Sequence, residues 1–159
     1  MASIKETIAS GLTARYKKLA GVVNELAAPL TDDQFWSKPF VFGNSFGHLV
    51  LHLTGNLNYY IGAQIGGTGY VRNRPLEFAD TTRQAKSEVL KKFDLAIAVV
   101  LATIDSQSEA DWSTEYSGTG ADARDRFDML LQCATHLHLH IGQMMYLVAE
   151  LKRTASTQK

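Results

Sequence analysis

Between Pro39 and Val71 the chain carries no Asp, Glu, Lys or Arg. A stretch of that length without charge raises the question of a membrane span, and its content answers it. His48, His52, Asn44, Asn56, Asn58, Gln64 and seven glycines are scattered through it. Their polar groups would be costly in hydrocarbon, where no water satisfies them. The segment therefore reads as a helix buried within the protein and lining a polar cavity, and the rest of the chain has to pack around it.

Four helical patterns supply that packing. The first runs from about Ile4 to Ala28, with Ile8, Leu12, Leu19, Val22, Val23 and Leu26 on one face and Pro29 placed to end it. The second is the uncharged helix, from Phe46 to about Ile65, capped by Asn44 or Ser45 and stopped at Gly66-Gly67-Thr68-Gly69. Thr81 and Gln84 have capping-box spacing and predict the start of a third, which continues to about Asp105 through Val89, Phe93, Ile97, Val100 and Ile104. The last is expected from Asp122 or Ala123 to about Lys152, burying Phe127, Leu130, Ala134, Leu137, Ile141, Val148 and Leu151. No stretch alternates as a strand does, so the fold class is all-α, a four-helix bundle whose 66–80 connection is long enough for a crossover. Two acidic, Trp-Ser-containing linkers, Thr31 to Ser37 and Ser108 to Ser113, each precede a histidine-bearing helix and suggest two similar halves.

A chain of 159 residues fits one domain, expected over residues 3–152 with 153–159 as a disordered tail. Sixteen basic and sixteen acidic residues cancel, and neither sign forms a block. Nothing marks a surface for nucleic acid or an anionic membrane. The lone Cys133 excludes an intrachain disulfide framework, and Met1 to Ile8 lacks the apolar run of a signal peptide, so a reducing cytoplasm is the expected compartment.

All five histidines fall in two of these helices: His48 and His52 in the second, His136, His138 and His140 in the last. Residues four apart share a helix face about one turn apart, so His48 pairs with His52 and His136 with His140. Two imidazoles so spaced reach a single ion, and a third from the other helix completes a three-histidine site with an open position. His138 lies about 200° round the helix from both neighbours and points away from them; a surface or subunit contact is its expected role. Core histidines satisfied by hydrogen bonds are the plainer alternative for each pair.

At these residues the chain resembles the DinB-like superfamily, metal-binding four-helix bundles that include damage-inducible proteins and thiol-dependent S-transferases. Ser45 to Leu53 is similar to the small-residue-to-His-Leu pattern of that family, and His136 to Gln143 to its His-x-x-x-His-x-Gly-Gln motif. His52 to Asn56 with Arg72 to Phe78 resembles a mostly uncharacterised branch. The resemblance implies His52, His136 and His140 as ligands of a divalent ion, Zn or Ni foremost, with Fe, Co or Cu also suited to an all-imidazole set.

The remaining roles follow from position. His48, one turn before His52, is a reserve ligand or an outer-layer group and a candidate proton acceptor. Asn56, one turn beyond His52, is placed to line the open side and bond a water or substrate; Gln143 is similarly placed beside His140. Cys133 is expected to be a buried, inert thiol. Arg72 and Arg74 either clamp an anionic substrate or anchor the loop through Glu77, and Phe35, Trp36 and Trp112 close the bundle ends. Neither histidine cluster contains an Asp or Glu, so the sequence offers no obvious general base there. The three-histidine pattern points to a metal-dependent transferase or hydrolase, and the family resemblance implies a low-molecular-weight thiol as the nucleophile, with water making it a hydrolase. The rival reading is a non-catalytic metal-binding or stress-related bundle acting through dimer or partner contacts. A homodimer is expected through close approach at Gly47, Gly55 and Gly62.

Overall fold

The computed structural model describes residues 2–79 and 81–157 and is all-helical, as the sequence patterns require. In chain order the elements are α1 (Ile4–Ala27), α2 (Asp32–Trp36), α3 (Phe46–Leu57), α4 (Arg74–Ala79), α5 (Lys86–Ser106) and α6 (Arg126–Thr157). A π-helical turn, Asn58–Ala63, continues α3, and a 3-10 turn, Ala110–Ser113, lies between α5 and α6. Among the described residues, strand-like pairing is limited to one isolated bridge between Glu115 and Asp125. No helix among them is long and apolar enough to cross a membrane.

The four long helices pack as a closed ring in which α1 meets α6, α6 meets α3, α3 meets α5 and α5 meets α1. Each turns its apolar stripe inward, so that Tyr16, Val23, Leu53, Leu57, Phe93, Val100, Leu130 and Leu137 are sealed from solvent. Tyr16 brings a polar tip into that core and satisfies it by donating to the Leu130 carbonyl across the α1–α6 seam, at 2.6 Å. The uncharged second helix is deeply buried as expected: Phe46 to Val50, His52, Leu53 and Gly55 to Leu57 are all buried.

Capping chemistry sets the helix starts. Ser3 with Glu6 and Thr31 with Gln34 form full capping boxes for α1 and α2, and Ser45 caps α3 by accepting from the His48 amide. The third and fourth long helices start later than their sequence signals. Thr81 and Gln84 do not form a capping box; Arg83 takes a positive φ of 47°, and α5 starts at Lys86 with no side-chain cap. The Gln84 carbonyl instead accepts from the Trp36 indole, while Lys86 reaches back to the carbonyls of Ala27 and Leu30, at and just past the end of α1. The last helix starts at Arg126 because residues 114–116 pair with 124–126, and Asp125 then caps it by accepting from the Asp128 amide at 2.8 Å. Helix α6 continues through Thr157, past the expected end near Lys152; residues 158 and 159 of the expected tail lie outside the described residues.

The three glycines expected at a dimer surface face their own chain. A Cβ on Gly47 would lie 2.7 Å from the Trp36 ring, one on Gly55 2.1 Å from Glu77 Oε1, and one on Gly62 3.0 Å from Val99. They relieve crowding inside the bundle, so the homodimer expectation loses the surface on which it stood. Gly11, on α1, has open space around it. Gly47→Ala is therefore expected to destabilise the fold by about 1–3 kcal/mol through overpacking. Gly11→Ala is expected to stabilise it by up to about 1 kcal/mol through helix propensity. Urea denaturation midpoints moving in opposite directions for the two variants are the expected result.

Candidate metal centre

Helices α3 and α6 are neighbours in the ring, and this adjacency brings the two histidine clusters together. His52 is buried on α3, and His136 and His140 are half-buried one turn apart on α6. The Nε2 atom of His136 stands 2.9 Å from Nε2 of His52 and 3.2 Å from Nε2 of His140. The rings meet edge to face, with centroids 4.5 to 5.1 Å apart. Among the described residues, these three form the one group of histidine, cysteine or carboxylate side chains gathered as metal ligands are.

The outer nitrogens decide what this convergence means. His52 Nδ1 lies 2.8 Å from Glu77 Oε2, and His140 Nδ1 lies 2.7 Å from Gln143 Oε1. Both partners are acceptors, so each ring carries its proton on Nδ1 and turns a bare Nε2 lone pair toward His136. A proton on His136 can bridge one of these contacts but not both. Lone pairs crowded in this way repel unless a cation lies among them. Four-coordinate ligands of zinc at about 2.0–2.1 Å sit roughly 3.3 Å from one another, close to the spacing found here. The donor set therefore fits a borderline divalent ion.

A cavity of about 810 Å³ opens on the cluster, lined by His52, Asn56, Tyr60, Arg72, Arg74, Met129, Gln132, Cys133 and His136 among others. Its size suits a small molecule. Asn56 is placed as its spacing predicts, and its Oδ1 is buried with no hydrogen-bond partner among the described residues. An orphaned acceptor of this kind is costly unless a donor reaches it, as a bound water or ligand would. The π-helical turn presents Tyr60, whose hydroxyl donates to the Gly120 carbonyl at 2.7 Å and ties residues 120–122 in as the facing wall.

The other sequence candidates separate. His48 is not in the cluster: its Nδ1 bonds Ser45 Oγ at 2.7 Å, its ring packs edge-on to Trp36, and it lines a different cavity with Phe78 and Arg83. His138 is exposed, pointing away as its spacing requires. Cys133 is buried, and burial pushes its thiol up to about 12, so it stays protonated. Arg72 is the loop anchor of the two alternatives, paired with Glu77, whereas Arg74 makes no ion pair among the described residues and lies exposed at the cavity rim. Gln143 holds His140. Sequence reasoning named Glu77 only as a loop partner for Arg72 and missed its contact with His52. The signal that could have found it was the Arg72-to-Glu77 spacing beside a histidine helix with a glycine at position 55.

Burial, the neighbouring imidazoles of His140 and His52, and the guanidinium charges of Arg72 and Arg74 depress the His136 pKa from its usual 6.5 to about 4. His140 is also lowered, chiefly by burial. Burial alone would raise the Glu77 carboxyl, but the hydrogen bonds from His52 and Arg72 outweigh it, and its pKa lies below the usual carboxylate value. His136 and His140 are thus arranged to stay unprotonated and ready for a metal near neutral pH.

The sequence model of the DinB superfamily matches residues 15–144. Among solved structures the fold is similar to that of a conserved protein from Enterococcus faecalis, with a TM-score of 0.72 over 89% of this chain and 95% of that one. Sequence identity is 16%, so this likeness speaks for the fold alone. No curated protein matches the chain.

A histidine whose pKa is lower in the folded than in the unfolded state binds fewer protons when folded, so stability rises with pH through the window between the two values. For His136 that window runs from about 4 to 6.5. Chemical denaturation of the metal-free protein should show full stability from this term above pH 6.5 and its progressive loss toward pH 4. His136→Gln should flatten that part of the profile.

Proposed function

The chain belongs to the DinB superfamily, and on that premise we propose that it is a divalent-metal-dependent enzyme, most simply a transferase that activates a low-molecular-weight thiol. Members of the superfamily typically bind metal, and a three-histidine cluster is present here. The observation that carries the reading is the convergence of three Nε2 atoms at 2.9 and 3.2 Å, beside a cavity able to admit a small molecule. His52, His136 and His140 would hold the ion through Nε2. When bound, such an ion supplies Lewis-acid activation, lowering the pKa of a thiol or a water enough to give the nucleophile near neutral pH.

The chain's own residues take supporting parts. Asn56 lines the cavity and holds a buried, unsatisfied amide oxygen, which would accept a hydrogen bond from a water or from a polar N–H or O–H of the bound substrate. Arg74 places a positive charge at the rim, close enough to act on His136, and would favour an anionic co-substrate. Cys133 lines the cavity, but its raised pKa removes it as a nucleophile. Glu77 is engaged by His52 and Arg72 and is not free to act as a general base. The nucleophile would therefore come from the substrate, which supports a thiol transferase over chemistry by a residue of the chain. Water in the same place would make the protein a hydrolase. The open cavity tells against the rival structural site, which would close its coordination with protein ligands.

His52→Ala, His136→Ala and His140→Ala should each remove most tightly bound metal while leaving far-ultraviolet circular dichroism nearly unchanged, because the core is made by apolar faces. His138→Ala should bind metal as the wild type does. Zinc titration of the set checks this, and full occupancy in both α6 variants would refute the ligand assignment. Consumption of a small thiol with an electrophilic acceptor by the metal-loaded protein, lost in Asn56→Ala with metal retained, is the expected catalytic result. Hydrolysis without thiol consumption would move the reading to a hydrolase.

A further inference from the structure

We propose that Glu77, backed by Arg72, is the positioning residue of the metal centre, fixing His52 in the tautomer that aims its bare Nε2 at the ion. This rests on the reading of the three imidazoles as ligands and extends it to what sets their affinity. An ionised carboxylate has no proton to give, so the 2.8 Å contact between Glu77 Oε2 and His52 Nδ1 requires the proton on the imidazole. Arg72 makes that state permanent. Its Nε lies 2.6 Å from Oε1 and its Nη2 2.8 Å from Oε2, a two-pronged grip by a group that stays charged at any ordinary pH. Nη2 also stands 3.3 Å from His52 Nδ1. This places one donor beside another, with both directed at Oε2.

The local fold is cut to fit this pair. Gly55 follows His52 by three residues on α3, and a Cβ there would lie 2.1 Å from Glu77 Oε1 and 2.9 Å from its Cδ. Glycine is what lets the carboxylate lie against the helix. Phe78, next to Glu77 on α4, packs its ring 4.8 Å from that of His52, so α4 holds the imidazole at once by an edge and by a face. The Arg72 and Glu77 side chains are only 8% and 7% exposed. A buried ion pair gains little stability over apolar packing, so a pair that served only to anchor a loop gains nothing from lying this deep. Contact with His52 gives the burial a purpose. An outer carboxylate on a metal-binding imidazole makes the ring a stronger donor and pre-sets its direction.

The test joins two readouts on the same samples. Long-range nitrogen–proton NMR of the metal-free protein reports which nitrogen of His52 is protonated, and competition with a chromophoric chelator reports zinc affinity. In the wild type His52 should be protonated on Nδ1. Glu77→Gln keeps size and shape, but its amide can either donate or accept; it should lose that fixed tautomer and bind zinc about 10- to 100-fold more weakly. Arg72→Lys, which keeps the charge and loses the fork, should give a smaller loss and guards against a misfolded Glu77 variant. Wild-type affinity together with an unchanged His52 tautomer in Glu77→Gln would overturn the proposal. If the wild type itself bound no zinc, the ligand reading would fail. The NMR comparison would still decide the positioning claim: loss of the Nδ1 proton only in the variant upholds it, and identical spectra sink it.

Discussion

Everything distinctive in this bundle depends on three imidazoles held with their Nε2 atoms toward one another. Close packing of two helices puts them there, but packing alone would not keep them there. Imidazole rings in a half-buried pocket would relieve the crowding by turning away, were their outer nitrogens not tied to Glu77 and Gln143. The geometry is thus stored in hydrogen bonds on the far side of the rings, and a cation is the natural occupant of the space they enclose. Depressed basicity at His136 and His140 comes chiefly from burial, and at His140 it persists although the Gln143 bond favours the proton.

This arrangement constrains the rest of the fold. An uncharged α3 is needed because it is flanked by α5 and α6 and backed by α4, and a charge on any of those faces would be buried without a partner. The charge that is buried, on Glu77, comes with Arg72 and with His52. Removing one member of such a set typically costs about 3–5 kcal/mol, because it strands the other. The same side chains therefore support both the loop after the π-helical turn and the candidate site. Stability and metal readiness are coupled through α4, a six-residue helix with one buried side chain, Glu77.

Much of this was legible in the sequence because it is periodic. The i, i+4 histidine pair on the last helix, the inward stripes and the outward direction of His138 follow from helix geometry alone. The choice of His52 over His48 was not a matter of period. It depended on the axial stagger of α3 against α6, and His48, bonded to the α3 cap Ser45, falls outside the cluster. Glu77 stayed hidden because its link to His52 spans 25 residues and a segment that reads as a loop. Its only local trace was the Arg72 partner. Helix starts failed where tertiary contacts won. The Thr81–Gln84 box gave way to an Arg83 turn and the Trp36 indole, and the first turn expected near Asp122 gave way to backbone pairing around Asp125. The glycines read as a docking surface are internal clearances, a distinction that pattern cannot make without knowing which face is inward.

The function of this site turns on whether a metal occupies the space among the three Nε2 atoms. Elemental analysis of protein purified without an affinity tag, after extensive dialysis against metal-free buffer, is the most direct test. The structure predicts one divalent transition-metal ion per chain, retained near neutral pH. Protein that is fully folded, yet carries no metal and takes up none when zinc is supplied, would contradict it.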